Sequence, residues 1–555
     1  MSTEPSPCHL FGGKMGKVEK GLYRAISVVF GAVILPVLFC VFFIGMKMHY
    51  TEGMKPHLAL SNPIIFLIAL LLAACAVFLI YLGSKHPLEK KGNIILTCVI
   101  AALSVGLLFI SNKIAREIAF YLPWDVNVVA GSAMQFADAE PLGYQYYYSI
   151  YTNNIPIVYI LGKIMRTARE SGYSLTLPFV WVQVGCVLTT ISVFFLAMTV
   201  KRVTKNLWAV IVSFLAGVAL IGLSAWVIAP YTDVYGLPFP ILCLYFFVCH
   251  RQSKKTIGKV LFLAASVLAV GIGGMLKPNL YLLFIALFMT ELLCVLGDAK
   301  KNVLYLVATA VLIALTLFGT KLYTKGMPEK MGLVMNDNLE AGIPEYFFMG
   351  QNPDTTGSYS EVDVYMYGEF QDVPRKERDK IIWGRAVDRM KDKGALGLAD
   401  FWLNKMTMTF NDGSFGWLCE VWIEKHYEPV VSSNKPIMDF LRSIYWFGPR
   451  TPKYGACCQI IWFALLIGLP GNFLYWWKKK KEGKTETKST DHAIFGMMMI
   501  SFLGVFFYQM LFEARARYLY VFLPMIIVFA VAGLSRYGKI AGLLFHGKKG
   551  SKQDE

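Results

Sequence analysis

The sequence predicts an all-α integral membrane protein, and three observations lead to this class. Hydrophobic residues make up 56% of the 555-residue chain and charged residues only 16%, a composition that large soluble domains do not have. Apolar runs of about twenty residues recur along the chain, each long enough to cross a hydrocarbon core of roughly 30 Å. The basic residues behind the net charge of +17 lie in short loops between these runs. That is the positive-inside pattern, so a nucleic acid is not the expected partner.

Each predicted span is an apolar stretch bounded by polar or basic residues, and about twelve such stretches are present. The first has a basic flank but no small-residue cleavage site, and it is longer than a signal-peptide core, so we expect a retained helix. The predicted spans cover residues 25–46, 61–82, 93–111, 178–200, 206–228, 236–250, 258–275, 279–297, 302–320, 456–477, 492–511 and 517–535.

The basic clusters between the spans predict the orientation of the chain. With about twelve spans, all of these clusters fall on one face, which the positive-inside rule assigns to the cytoplasm, together with both termini. The clusters are Lys14 to Arg24, Lys85 to Lys91, Lys201 to Lys205, Arg251 to Lys255, Lys300 with Lys301, Lys478 to Lys481, and Lys548 with Lys549.

Residues 153–166 form an apolar segment that is too short to span a membrane. Counting it as a span would move Lys201 and Arg202 to the outer face, and Lys163 interrupts its apolar pattern. We therefore predict an interfacial helix that lies on the outer surface.

These boundaries divide the chain into three parts. Residues 1–320 form a transmembrane helical region whose first large outer loop is 112–177. Residues 321–455 are the only stretch long enough for an extracellular domain, with a polar helical piece near 375–393. Residues 456–555 form a C-terminal transmembrane region with a basic cytoplasmic tail. The eleven cysteines lie mostly inside spans without paired ligand spacing, so neither a metal nor another cofactor is indicated, although a divalent cation stays open.

The candidates for chemistry are ionisable residues on the predicted outer face. Asp125 follows the third span and Asp233 follows the fifth, so both carboxylates come to the same surface. A carboxylate can accept a proton from an attacking hydroxyl, and cations can stabilise a phosphate leaving group. Lys277, Arg515 and Arg517 supply cations on the face where the positive-inside rule expects few. This combination suits group transfer from a phosphate-linked donor that is held in the membrane.

Each candidate also has a structural interpretation. Asp125 and Asp233 could cap helices, and Lys277, beside Pro278, could be a solvated turn residue. Arg515 and Arg517 could hold lipid head groups. The tyrosine-rich run from Tyr144 to Tyr151 could be an interfacial aromatic belt.

The order of these motifs resembles the GT-C superfamily of polyprenyl-phosphate-sugar-dependent glycosyltransferases, over residues 93 to 535. The resemblance is greatest to the bacterial branch related to protein O-mannosyltransferases and the lipid A aminoarabinose transferase. The motifs are Asp125 with Ala130 and Ala133, Asn153-Asn154-Ile155-Pro156, Tyr231-Thr232-Asp233, Leu276-Lys277-Pro278, Asn411 to Trp417, and Glu513 to Tyr518.

The resemblance implies a GT-C-like helical bundle that transfers a sugar, with inversion, from a polyprenyl-phosphate sugar among the membrane lipids. The acceptor would be a cell-wall polymer, a glycolipid or a protein at the outer face. Asp125 would act as catalytic base or acceptor-orienting group, Asp233 would support it, and Lys277, Arg515 and Arg517 would bind the donor phosphate. The residues expected to contact substrate are Trp124, Tyr148, Asn153, Asn154, Tyr231, Asp412 and Glu513.

Two features depart from that family. Two additional spans precede the one that leads into the first loop, and 321–455 does not resemble a carbohydrate-binding module that we can name. One alternative function is a transporter or lipid-linked-sugar flippase without catalysis, which would carry ionisable residues near span centres and broken helices at the midplane. The predicted spans carry almost none of the former. A structural partner of a wall-synthesis complex is the other alternative.

Overall fold

The computed structural model describes residues 17–44, 58–86, 89–173, 178–420, 435–446, 448–473 and 489–546. These residues fold into helices joined by turns and loops, which confirms the predicted all-helical class. Ten of the described helices are long and apolar enough to cross a membrane. The predicted spans 206–228 and 517–535 correspond instead to two shorter apolar helices, Leu207–Gly222 and Leu523–Gly538. The basic cluster Lys478 to Lys481 and both termini lie outside the described residues.

The first half of the chain is a series of long helices interrupted by one group of short ones. Its α-helices are α1 (Lys17–Phe39), α2 (Asn62–Ser84), α3 (Lys90–Ile118), α4 (Asp125–Ala137), α5 (Gln145–Ile150), α6 (Ile155–Glu170), α7 (Phe179–Thr204), α8 (Leu207–Gly217), α9 (Thr232–Tyr235), α10 (Pro238–Gln252), α11 (Thr256–Leu276), α12 (Leu282–Gly297) and α13 (Ala299–Lys325).

The second half begins with short helices and returns to long ones. Its α-helices are α14 (Met327–Lys330), α15 (Ile343–Gly350), α16 (Glu361–Tyr365), α17 (Arg375–Phe410), α18 (Trp417–Glu420), α19 (Lys435–Tyr445), α20 (Thr451–Gly468), α21 (Ser489–Leu511), α22 (Arg517–Tyr520) and α23 (Leu523–His546).

The helix α8 is shorter than predicted because its last turn changes geometry. It passes into a π turn at Val218–Gly222 and then into a 3-10 turn at Ala225–Ile228. Gly222 packs directly against α3, where a Cβ atom would lie 2.7 Å from the side chain of Leu107. A larger residue at position 222 would therefore require Leu107 to move.

Burial separates the core of the bundle from its periphery. Most apolar side chains of α10 are buried, and so are those of α23 from Leu523 to Leu534. In contrast, α2, α3 and α13 expose large apolar side chains such as Leu71, Phe109 and Phe318. Exposed apolar helix faces of this kind are expected where lipid, rather than water, surrounds the protein.

Residues 331–450, here called the interspan segment, join α14 to α20. The predicted polar helix near 375–393 is the first part of α17, which continues past a break at Gly394 (φ 62°) to Phe410. The segment has a small apolar core of its own. Arg378 and Glu345, both fully buried, form an ion pair of 2.9 Å beside that core. The core residues are Phe347, Phe348, Met366, Phe370, Ile382 and Ala386.

The helix α6 packs lengthwise on α4. Gly162 allows this contact, because a Cβ atom there would lie 2.5 Å from the ring of Phe136. At sixteen residues, α6 is not among the helices that could span a membrane. This agrees with the prediction that residues 153–166 do not cross, while their position on the outer surface stays a prediction.

Several connections between long helices meet at one end of the bundle. They follow α3, α11 and α21 and precede α10 and α23. The opposite end carries basic side chains, where Lys201 at the end of α7 donates to the backbone oxygen of Asn93 near the start of α3, 2.9 Å away. The candidate residues for chemistry and this basic residue therefore lie at opposite ends of the same helices.

Candidate functional site

Asp125 is the first residue of α4, and the chain reaches it through a strained position. Trp124 has φ 55° and ψ −141°, a backbone region that costs a non-glycine residue free energy. The Asp125 side chain does not cap its own helix. Its Oδ1 accepts a hydrogen bond of 2.8 Å from the Tyr147 hydroxyl, and its Oδ2 accepts one of 3.4 Å from the Tyr231 hydroxyl. The carboxylate is therefore held by two phenols from distant parts of the chain.

Asn154 joins these two phenols to each other. Its amide nitrogen lies 2.6 Å from the Tyr147 hydroxyl, and its amide oxygen lies 3.3 Å from the Tyr231 hydroxyl, whose single proton is shared between this oxygen and Oδ2 of Asp125. Burial, followed by the charge of Asp125, raises the pKa of both Tyr147 and Tyr231 well above the ordinary value of a tyrosine. Both hydroxyls therefore stay protonated at neutral pH and keep donating.

Asp233 forms a second, buried centre. It is the second residue of α9, makes no helix cap, and is only 1% exposed. The Lys277 Nζ lies 2.5 Å from its Oδ1, and the Arg517 Nε lies 3.8 Å from its Oδ2. Lys277 is 8% exposed and so is not a solvated turn residue. One carboxylate thus lies between two cations, which leaves this centre with an excess of positive charge.

Arg517 connects the two centres. Its guanidinium carbon lies 5.8 Å from the centre of the Trp124 ring and 6.0 Å from that of the Tyr231 ring. Tyr231 also contacts Asp125, so the positive centre around Asp233 lies next to the carboxylate of Asp125. The structure brings together seven of the predicted residues, namely Trp124, Asp125, Asn154, Tyr231, Asp233, Lys277 and Arg517.

Glu513 and Arg515 extend the site along the loop between α21 and α22. The Oε1 atom of Glu513 accepts a hydrogen bond of 2.7 Å from the Tyr518 hydroxyl and lies 3.4 Å from the Arg515 Nε. The Tyr518 ring is also 5.2 Å from the Lys277 Nζ. The first two residues of α22, Arg517 and Tyr518, therefore connect this loop to the Asp233 centre.

Asp125 differs from the other two carboxylates in its partners. Asp233 and Glu513 are each within 4 Å of a cation. Among the described residues, the Asp125 carboxylate contacts only neutral hydroxyl donors. Asp125 is therefore the carboxylate of the site that has no ion pair within the described part of the chain.

Three residues predicted to contact substrate make no contact with the carboxylates of Asp125 and Asp233 among the described residues. Asp412 accepts from the backbone nitrogens of Ser414 and Gly416, at 2.8 and 2.6 Å, so both of its oxygens stabilise a local turn. The Tyr148 ring is buried, and its hydroxyl lies 3.5 Å from a backbone oxygen of α4. Among the described residues, the hydrogen bond of the Asn153 side chain goes to the side-chain oxygen of its neighbour Asn154, 3.3 Å away.

Two residues of the site were not singled out from the sequence: Tyr147, which was only part of the run Tyr144 to Tyr151, and Lys405. Tyr147, one position before the predicted Tyr148, is the tyrosine that reaches Asp125. Lys405 on α17 is completely buried, and its Nζ donates to the backbone oxygens of Gly350, Met510 and Phe512 at 2.5, 3.1 and 2.7 Å. The sequence contains one indication of this buried position, because Lys405 is the single charged residue between 401 and 410.

The interspan segment fixes the loop that carries Glu513. The Glu513 backbone nitrogen donates to the oxygen of Tyr346 at 3.1 Å, and that of Ala514 donates to the oxygen of Gly357 at 2.9 Å. Gly357 has φ +73°, and a Cβ atom there would lie 2.7 Å from the Lys405 Nζ. Together with Lys405, these contacts make the interspan segment a wall of the site.

A family model described as "conserved hypothetical integral membrane protein" matches residues 20–536. Among solved structures, the chain is similar to the crystal structure of ArnT from Cupriavidus metallidurans bound to undecaprenyl phosphate. The identity is 12%, the match covers 84% of this chain and 82% of that chain, and the TM-score is 0.30. No curated protein matches this chain.

Proposed function

Because the chain belongs to the family of conserved hypothetical integral membrane proteins, we propose its function from the site itself: a membrane glycosyltransferase with a polyprenyl-phosphate-linked donor. One observation carries this proposal. Asp125, a carboxylate with no ion-pair partner among the described residues, lies beside a buried centre where Lys277 and Arg517 flank Asp233. A base next to an excess of positive charge suits an acceptor hydroxyl on one side and a lipid phosphate on the other.

In the proposed reaction, Asp125 accepts the proton of the acceptor hydroxyl. The acceptor oxygen forms a bond with the anomeric carbon of the donor sugar, and the bond from that carbon to the phosphate oxygen breaks. The lipid phosphate leaves with the electron pair. Tyr147 and Tyr231 orient the Asp125 carboxylate through both of its oxygens. Attack from the side opposite the phosphate inverts the anomeric centre.

The phosphate would bind near Lys277 and Arg517, with Arg515 as a more distant cation. Asp233 holds the two nearer cations in place but neutralises only one positive charge. An incoming phosphate would contribute further charge-assisted hydrogen bonds, each worth about 1.5–3 kcal/mol. These cations would also stabilise the charge that develops on the phosphate as the sugar leaves.

The distribution of basic residues supports an extracellular site. The candidate site lies at the end of the bundle opposite Lys201, and the basic loops predict that the Lys201 end faces the cytoplasm. The donor would then be used in the outer leaflet among the membrane lipids. The interspan segment, which forms one wall of the site, would also be extracellular.

A transporter or flippase has one observation in its favour, a buried ionic cluster away from the site. Glu291 in α12 is completely buried, 3.4 Å from Arg251 and 3.3 Å from His250 in α10. Ionisable residues inside spans often mark transport paths. However, His250 and Arg251 lie in the last turn of α10, and Glu291 lies within about two turns of the end of α12. The cluster therefore joins helix ends and does not line a path through the bilayer midplane.

The proposed function can be tested by comparing cells with and without this chain. Mass spectrometry of their wall polymers, glycolipids and glycoproteins should reveal one sugar modification that depends on the chain. Binding of undecaprenyl phosphate to the purified protein in nanodiscs tests the donor separately. Unchanged glycans in all three fractions, together with no binding of the lipid phosphate, would contradict the proposal.

A further inference from the structure

Three tyrosine hydroxyls near the site have no hydrogen-bond partner in the part of the chain that the structure describes. They belong to Tyr151, Tyr346 and Tyr359. Their side chains are accessible: Tyr359 is 41% exposed, and the other two are half-buried. By contrast, the hydroxyls of Tyr147 and Tyr518 are bonded to site carboxylates. Phenol groups that are open to a ligand and have no internal partner are suited to bind polar groups of that ligand.

The three tyrosines come from separate elements that surround the site. The Tyr151 ring lies 4.9 Å from that of Tyr147, which donates to Asp125. The Tyr359 ring lies 5.7 Å from the guanidinium carbon of Arg515. The backbone oxygen of Tyr346 accepts from the backbone nitrogen of Glu513. One tyrosine is thus beside Asp125, and the other two are beside the loop that carries Glu513.

The first loop and the interspan segment are fixed to each other at this point. The backbone nitrogen of Ala341 donates to the oxygen of Ile150 at 3.0 Å, and Ile150 packs with Leu339 and Tyr151. Burial raises the pKa of all three unpartnered tyrosines, and the charges of both Asp125 and Glu513 raise it further. The hydroxyls therefore lie within the fields of both carboxylates and stay protonated at neutral pH.

The chemistry of this group favours a neutral, hydroxyl-rich ligand. Each tyrosine offers an apolar ring face for C–H groups and a hydroxyl that both donates and accepts. The cations of the site, Lys277, Arg515 and Arg517, lie against Asp233 and Glu513. An anion is therefore expected at the cations, and a neutral polyol at the tyrosines.

We propose that Tyr151, Tyr346 and Tyr359 form an acceptor subsite and that the acceptor is a neutral carbohydrate. This inference rests on the proposed glycosyltransferase function and adds to it the chemical class of the acceptor. A carbohydrate hydroxyl bound here loses its proton to Asp125 as its oxygen bonds to the anomeric carbon. The polyprenyl phosphate leaves with the electrons of the broken bond. The interspan segment then selects the acceptor, since it supplies two of the three tyrosines.

The test measures ligand binding to the full-length protein in nanodiscs. Saturation-transfer NMR is recorded with maltotriose, mannotriose and chitotriose, and separately with a serine- and threonine-containing peptide. Tyr151→Phe, Tyr346→Phe and Tyr359→Phe each remove one hydroxyl and keep the ring. We expect each to weaken binding of a trisaccharide by about two- to tenfold. Tyr365→Phe is the matched control, because Tyr365 is 71% exposed and its hydroxyl donates to Glu361.

The same samples are titrated with undecaprenyl phosphate, which separates the two proposals. We expect its affinity to be unchanged in the tyrosine variants. If no trisaccharide binds while undecaprenyl phosphate does, the acceptor subsite is wrong and the donor site stands. If trisaccharides bind in a tyrosine-dependent way and undecaprenyl phosphate does not bind, the subsite stands and the proposed donor is wrong. The inference would also be overturned if only the peptide bound. The same holds if the variant that combines Tyr151→Phe, Tyr346→Phe and Tyr359→Phe bound trisaccharides as tightly as the natural protein.

Discussion

The Nζ atom of Lys277 lies 2.5 Å from Oδ1 of Asp233, and both side chains are almost completely buried. The two residues are 44 positions apart and belong to the connections that precede α10 and follow α11. Burying a charge costs free energy unless the charge is paired, so each of these residues offsets the cost of burying the other. Arg517 adds a second cation beside the same carboxylate. The net positive charge of the site therefore comes from Lys277 and Arg517 together with Asp233.

Removal of one partner of this pair should destabilise the protein strongly. Lys277→Met leaves the Asp233 carboxylate buried with only the more distant Arg517, and we expect a loss of about 3–5 kcal/mol. Thermal unfolding in detergent checks this, and the double variant Asp233→Asn/Lys277→Met should recover part of the loss. A single variant as stable as the natural protein would mean that the pair is solvated.

Asp125→Asn should abolish sugar transfer without unfolding the protein. The amide keeps the shape of the side chain but does not accept a proton, and loss of a general base costs about 10²–10⁴ in rate. Transfer is measured by mass spectrometry of cells that express the variant at the natural level. Asp138→Asn is the control, because Asp138 forms a partly exposed ion pair with Arg169. If Asp138→Asn abolished transfer and Asp125→Asn did not, Asp125 would not be the base.

Arg517→Gln should weaken binding of undecaprenyl phosphate by about ten- to a hundredfold, since one charge-assisted contact is lost. Arg515→Gln should have a smaller effect, because among the described residues Arg515 forms its ion pair with Glu513 and not with the Asp233 centre. Titration of each variant in nanodiscs measures both effects. Arg169→Gln, which removes a cation distant from the Asp233 centre, should leave the affinity unchanged. Equal affinities in all three variants would refute the phosphate assignment.

Lys405 should make the stability of the protein depend on pH. Burial lowers the pKa of Lys405 to about 7 from its usual 10.5. Between these two values the unfolded chain binds a proton that the folded chain does not, so stability should rise as the pH increases from 7 toward 10.5. Lys405→Met lacks this group, and its unfolding temperature should show a weaker rise over that range. Parallel curves for the two proteins would indicate that the Lys405 ammonium stays charged when folded.

The orientation in the membrane can be checked with introduced cysteines. Val362→Cys lies at an exposed position of the interspan segment, 78% accessible, and Lys254→Cys lies in an exposed loop at the opposite end. In intact cells, a membrane-impermeant thiol reagent should label position 362 and not position 254. The same protein with neither introduced cysteine provides the background. Labelling of position 254 alone would reverse the predicted orientation and move the site to the cytoplasm.

The sequence by itself determined the class of the protein and the set of residues that meet at one end of the bundle. The length of an apolar run limits whether a helix can cross a bilayer, and the order of the runs decides which connections share a face. The length and the order of the apolar runs can both be read from the linear sequence. They were sufficient to bring Asp125, Asp233, Lys277 and Arg517 together as candidates before their contacts were known.

Only the tertiary structure decided which of these groups touch. Neighbouring residues on a helix point about 100° apart, so Tyr147 reaches Asp125 while Tyr148 packs against α4. Lys405 acts on the site through the backbone oxygen of Phe512, 107 positions away, which no local pattern encodes. Asp412 has the residue type of a ligand-binding group, but its oxygens are used by a local turn. Contacts of this kind depend on how distant helices pack, and that is fixed only when the chain has folded.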